Sequence, residues 1–141
     1  MNTSLEAGTA GLRLVENHIQ TRAFPGKRQH VRDARTFVQH ILAGCPVTGD
    51  AVLCVSEFAS NAVLHSRSGE PGGQFLVRVE VYANDHVWVE VTDDGGPWQM
   101  HTTDSLPGHG LDIVGKLACG WGVDGGLGGW TVWARLDWPR C

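Results

Sequence analysis

The sequence predicts an α/β (α+β) two-layer sandwich, a mixed, mostly antiparallel sheet with three helices on one face. Two observations carry this. Phe75, Val77, Val79 and Val81 alternate with Leu76, Arg78, Glu80 and Tyr82, and Val87, Val89 and Val91 alternate with Trp88, Glu90 and Thr92. Period-two alternation of this kind makes two half-buried strands, here joined at Ala83-Asn84-Asp85, with one dry face and one wetter one. Elsewhere apolar residues recur at helical spacing in three segments: Val31, Ala34, Phe37, Val38, Ile41 and Leu42; Val52, Val55, Phe58, Ala59, Ala62 and Val63; and Leu111, Val114, Leu117 and Ala118. Each apolar face needs another to cover it, so the helices and the sheet form two layers.

At 141 residues the chain fits one domain. Its hydrophobic fraction of 42% with 18% charged residues is that of a soluble globular protein. The net charge of −4 argues against a nucleic-acid binder working through a basic face, and no run approaches the ~20 apolar residues of a membrane span. Cys45, Cys54, Cys119 and Cys141 show neither zinc-site spacing nor the density of a secreted scaffold, so they read as reduced thiols. With no leader-like segment at the start, the expected location is cytoplasmic.

Taken in order, residues 1–11 are small and polar without a period and read as a flexible tail, leaving a single domain over 12–141. Loose alternation then predicts an edge strand near His18–Phe24, ended by Pro25-Gly26. The helix that follows stops at Gly44 and Pro46. Its outer face holds Arg28, Arg32 and Arg35, which is either the ordinary solvated face of a surface helix or a docking surface for an acidic partner.

The stretch Asp50 to Ser66 is the centre of the chain, a helix with Thr48 or Asp50 placed to cap it. Glu57 and Asn61 lie one turn apart on its outer side, flanked by Leu53, Cys54 and Leu64 where charges are usual. A helix apolar on both sides is normally buried, and a carboxylate and an amide on it need partners, because burying such groups unpaired costs about 2–7 kcal/mol. A neighbouring protein group or a ligand can supply them. His65 stands at the end of the helix, and Ser66 to Gly73 form the turn-rich loop that stops it.

After the hairpin, Asp93-Asp94-Gly95-Gly96-Pro97 leads into a polar loop reaching Pro107, of the length that lids have. Gly108-His109-Gly110 then opens a helix and presents backbone N–H groups at the positive end of its dipole, which suits phosphate. Gly115 extends this toward a dinucleotide-binding fingerprint, but no strand immediately precedes it as that fingerprint requires. His101, His109 and Asp104 flank the loop without the spacing of a zinc site. The chain closes in a hairpin around Gly125-Gly126-Leu127-Gly128-Gly129, with Val132, Ala134 and Leu136 toward the core. The six tryptophans are scattered, which suits packing better than a stacking surface for sugars or bases.

The stretch Ser56-Glu57-Phe58-Ala59-Ser60-Asn61-Ala62-Val63, the strand end Asp93-x-Gly95, the helix start Gly108-x-Gly110 and Thr131 on the last strand come in a specific order. That order resembles the GHKL (histidine-kinase-like) ATPase superfamily, the ATP-binding domain shared by DNA gyrase, heat-shock chaperones, histidine kinases and mismatch-repair ATPases. Within it the chain looks most like the bacterial anti-sigma-factor serine/threonine kinases and their stand-alone relatives, over roughly Phe24 to Leu136. The resemblance implies a histidine-kinase-like ATP-binding fold with ATP and Mg2+ as cofactors. In it Glu57 would be the general base, Asn61 the magnesium ligand, and Asp93 the acceptor for the adenine amino group, with Gly95 letting the base approach the backbone. Gly108 and Gly110, with Leu111 beside them, would surround the phosphates, and Thr131 would place a hydroxyl near the nucleotide.

The implied function is an anti-sigma factor that phosphorylates a serine on an anti-anti-sigma protein, with a sigma factor as second partner and a homodimer allowed. A non-catalytic, ATP-dependent binding module is the alternative. Pro97 replaces the second glycine after Asp93, His109 an arginine usual in close relatives, and Trp130 a common basic residue. Elementary chemistry agrees with the roles: magnesium takes oxygen ligands and keeps several waters, and phosphoryl transfer needs positioning and a base within hydrogen-bond reach.

Overall fold

A computed structural model describes residues 16–96 and 110–139. The tail at 1–11, the loop from Pro97 to Pro107, Gly108, His109 and Cys141 lie outside the described residues.

Among the described residues five strands form one sheet, β1 (His18–Pro25), β2 (Gln74–Tyr82), β3 (His86–Thr92), β4 (Gly120–Gly126) and β5 (Gly129–Asp137), in the order β1-β2-β3-β5-β4. Every pairing is antiparallel, so the sheet expected to be mostly antiparallel is wholly so. The reason is the way the chain re-enters the sheet: it returns as the β4–β5 hairpin, and it is the second arm that lies beside β3, running opposite to it. β1 is an edge strand, as its loose pattern predicts.

Register sets the core. Val77 pairs with Val91, Val79 with Val89 and Val81 with Val87, and β5 continues the same rows through Val132, Ala134 and Leu136, all buried. β-branched side chains on a pleated surface pack closely, and their alternation leaves Arg78, Glu80, Trp88, Glu90 and Trp133 on the opposite, wetter face. There Trp88 and Trp133 stack at 4.5 Å, as packing rather than as an open ligand platform.

The three helices α1 (Arg28–Ile41), α2 (Thr48–His65) and α3 (Gly110–Leu117) cover the valine face. α2 is central, packed on β3 and β5 with α1 and α3 at its sides. Ala51, Cys54, Val55, Phe58, Ala59 and Ala62 are its buried residues. Phe58 is 1% exposed, and burying such a ring contributes about 1.5–3 kcal/mol.

Three expectations about this region need correction. The outer side of α2 is not dry, since Leu53 is 40% and Leu64 61% exposed; the neighbouring helices close its flanks and leave one stripe uncovered. Thr48 does not cap the helix, because its hydroxyl donates back to the carbonyls of Leu42 and Cys45 at 2.7 and 2.8 Å and Val47 is the cap residue. Cys45 and Cys54 are free thiols, but Cys119 is disulfide-bonded. Linear spacing does not report which thiols the fold brings together.

Candidate functional site

Among the described residues, the turn after β3 is densely hydrogen-bonded. Asp93 is only 6% exposed, and its Oδ1 accepts hydrogen bonds from the backbone N–H groups of Gly95 at 2.7 Å and Trp130 at 3.1 Å. The Asp93 N–H donates to the Trp130 carbonyl at 2.9 Å, so the β3–β5 ladder runs one residue past the strand and carries the carboxylate inward. Gly95, at φ 82°, sits where a Cβ would overlap the Leu127 carbonyl oxygen in the β4–β5 turn. Its glycine is required by the protein's own packing. Asp94 turns the other way, its Oδ2 accepting from the Gln74 N–H at 2.9 Å.

α2 reaches the same place from the other side. The helix stops at Ser66, whose hydroxyl donates to the Ala62 carbonyl at 2.7 Å and accepts from the Ser68 N–H at 3.0 Å, starting a short 3-10 turn at Arg67–Gly69. From that turn the Arg67 N–H donates to the Gly95 carbonyl at 2.8 Å, and the Ser68 hydroxyl accepts from the Asp94 N–H at 2.9 Å. Asn61 and Glu57 lie one and two turns up the helix from Ser66, both half-buried. Neither side chain has a hydrogen-bond partner among the described residues. On the same helix burial pushes the Cys54 thiol up to about 12, helped by the Asp50 and Glu57 carboxylates, so it stays protonated and unreactive.

The structure therefore brings Asp93 and Gly95 to the C-terminal end of the helix that carries Glu57 and Asn61. Gly110 opens α3, which packs beside α2, and Leu111 is buried in the core. Thr131 lies elsewhere. It pairs with Thr92, and the two hydroxyls share a hydrogen bond of 2.8 Å on the face away from the helices, opposite the buried Val132. The residue beside Asp93 is Trp130. Spacing missed this because a shift of one residue along a strand changes the face. It also missed Arg67 and Ser68, which act on backbone groups in a turn that carries no motif. Among the described residues no cluster of three metal-ligating side chains occurs, and no helix is long and apolar enough to cross a membrane.

Likeness to known proteins agrees with this geometry. No curated protein matches the chain. The crystal structure of the RsbU and RsbW domains of Rv1364c from Mycobacterium tuberculosis is similar at a TM-score of 0.63 and 23% identity, covering 82% of this chain and 32% of that one. At that identity the likeness is one of fold, and this chain spans about a third of the other's length. The family model of the histidine kinase-like ATPase domain matches residues 24–135, from the end of β1 into β5, which takes in the three helices and β2, β3 and β4. This chain belongs to the histidine kinase-like ATPase domain family.

Proposed function

We propose that the chain binds ATP with magnesium and transfers a phosphoryl group to a serine or threonine of a partner protein, acting as an anti-sigma factor whose substrate is an anti-anti-sigma protein. One observation carries the reading. Glu57 and Asn61, one turn apart and without a described protein partner, lie on the helix whose end is hydrogen-bonded to the turn that holds Asp93. The donor set fits the cofactor: one amide oxygen with no protein bond to give up suits a magnesium ion that takes its remaining ligands from phosphates and water. When bound, the metal neutralises charge on the phosphates. Asn61 holds it, Asp93 accepts from the 6-amino group of adenine, and Glu57 takes the proton of the attacking hydroxyl.

For the partner, α1 and α2 offer a cleft of about 190 Å3 lined by Arg28, Arg32 and Arg35 on one side and Ser60, Val63 and Leu64 on the other. Arg35 is steadied by the Ser56 hydroxyl at 3.2 Å. Three exposed guanidinium groups on a chain of net charge −4 form a local basic surface next to the Glu57 stripe, and planar guanidinium groups suit the carboxylates of an acidic segment. The second reading is an ATP-gated binding module without transfer, which keeps the same nucleotide site and drops only the role of Glu57.

Calorimetry with ATP on the wild type and Asn61→Ala, with and without magnesium, tests the binding step common to both readings. The expected result is magnesium-dependent binding that weakens about tenfold in the variant, the effect of one lost polar contact. Equal affinity with and without magnesium removes Asn61 from the metal.

A further inference from the structure

We propose that the Arg67–Gly69 turn, with Ser68 at its centre, is the positioning device of the base pocket, an inference that rests on the nucleotide reading above and assigns the turn a role in selectivity for adenine. Ser68 is fully buried, at 0% exposed, although serines in turns ordinarily face water. Two bonds leave the turn for the base-reading loop. The Ser68 hydroxyl holds the N–H between Asp93 and Asp94, and the Arg67 N–H holds the carbonyl between Gly95 and Gly96. Between those two gripped peptide units lies the Gly95 N–H, which donates to Asp93 Oδ1. The clamp thus fixes the atom that fixes the carboxylate.

The turn is itself immobilised. A Cβ at Gly26 or Gly73 would overlap the Ser68 carbonyl, so two backbone segments close on it from the β1–α1 junction and from the start of β2. Gly96, at φ 119°, lies against the Arg67 side chain. Upstream, Ser66 ties the turn to Ala62, the residue next to Asn61. A continuous set of short hydrogen bonds therefore runs from the helix turn bearing Asn61 to the carboxylate of Asp93, and sets the depth of one relative to the other. The Ser68 hydroxyl is buried and the Arg67 N–H is already given to Gly95, so the two are positioning residues that act through Asp93.

The test is calorimetry of Mg-ATP and Mg-GTP on the full chain, comparing the wild type with Ser68→Ala and Arg67→Pro, each checked for folding by circular dichroism and thermal melting. Arg67→Pro removes the N–H given to Gly95 without touching the buried serine, and Ser66, at φ −128° and ψ 176°, has the extended backbone that precedes proline readily. Should Ser68→Ala not fold, Arg67→Pro carries the test. In both variants ATP affinity is expected to fall roughly tenfold, the equivalent of one hydrogen bond, while GTP affinity holds, so that the ATP-to-GTP ratio collapses. A folded variant that weakens both nucleotides equally, or keeps the ratio, has only lost stability and overturns the positioning role. A wild type that binds both nucleotides alike, or neither, overturns the assignment of Asp93 and this inference with it. A selective wild type with selective variants rejects the clamp alone.

Discussion

The Asp93 turn and the outer stripe of α2 meet at the same helix end, yet the protein satisfies the polar groups of one and leaves those of the other open. Asp93 is held by two backbone N–H groups, its neighbours by Arg67, Ser68, Gln74 and Leu127. Glu57 and Asn61 are half-buried on a helix with exposed Leu53 and Leu64 around them, and no described side chain or backbone group bonds to their side chains. The difference follows from what each end would recognise. A base is rigid and is read by direction, so its acceptor gains from being fixed before binding. Phosphates and a hydrated metal bring their own ligands, and an amide already bonded to protein would have to break that bond to accept them.

The comparison breaks most sharply at Glu57. Glu57→Gln keeps the shape of the open stripe and removes only its basicity, so phosphotransfer should fall about 10²–10⁴-fold while ATP binding and stability stay near those of the wild type. A radiolabelled ATP assay against candidate partner proteins, run beside calorimetry, reads both quantities. Transfer undiminished in the variant rejects Glu57 as the base. Transfer absent from both proteins, with ATP still bound, favours the binding module.

The reverse pattern is expected at the organised end. Gly95→Ala forces a Cβ into a left-handed backbone position and onto the Leu127 carbonyl, which should cost about 2–4 kcal/mol of stability. Urea unfolding measures it. A variant as stable as the wild type would mean that the turn yields easily, and the contrast between the two ends would vanish.

How far the sequence reveals these features depends on whether the interaction is local. The valine rows of β2 and β3 are visible as alternation because each residue reports its own face, and the helices as spacing for the same reason. Asp93-x-Gly95 and Glu57…Asn61 are visible as residue types at fixed separations. Ser68 and the N–H of Trp130 are not, since they serve Asp94 and Asp93 from 26 and 37 residues away, one through a serine like any other turn serine and the other through an atom that nearly every residue has. The antiparallel direction of β5 and the exposure of Leu53 and Leu64 are equally tertiary: they depend on which arm of a hairpin lies beside β3 and on where two neighbouring helices stop.

Glu80 sharpens the comparison with the smallest effect, because it is a half-buried glutamate like Glu57 but one whose carboxylate is fully provided for. Its side chain is 17% exposed on the wetter face of the sheet, accepting from Arg78 Nε at 2.8 Å and from the Tyr82 hydroxyl at 2.6 Å. Burial pushes its carboxyl up, but the hydrogen bonds from Tyr82 and Arg78 and the Arg78 charge outweigh that and hold it below the ordinary glutamate range. A carboxyl whose pKa is lower in the folded state stabilises the fold above the unfolded value, near 4.3, and the stabilisation is lost as pH falls through the folded one. Glu80→Gln should therefore cost about 1 kcal/mol at pH 7, modest because Arg78 is 42% exposed and its charge is screened. The gap between wild type and variant should narrow when urea midpoints are compared again at pH values below the ordinary glutamate range. A gap that persists there would place the cost in packing, and the carboxylate would no longer serve as the satisfied counterpart of Glu57.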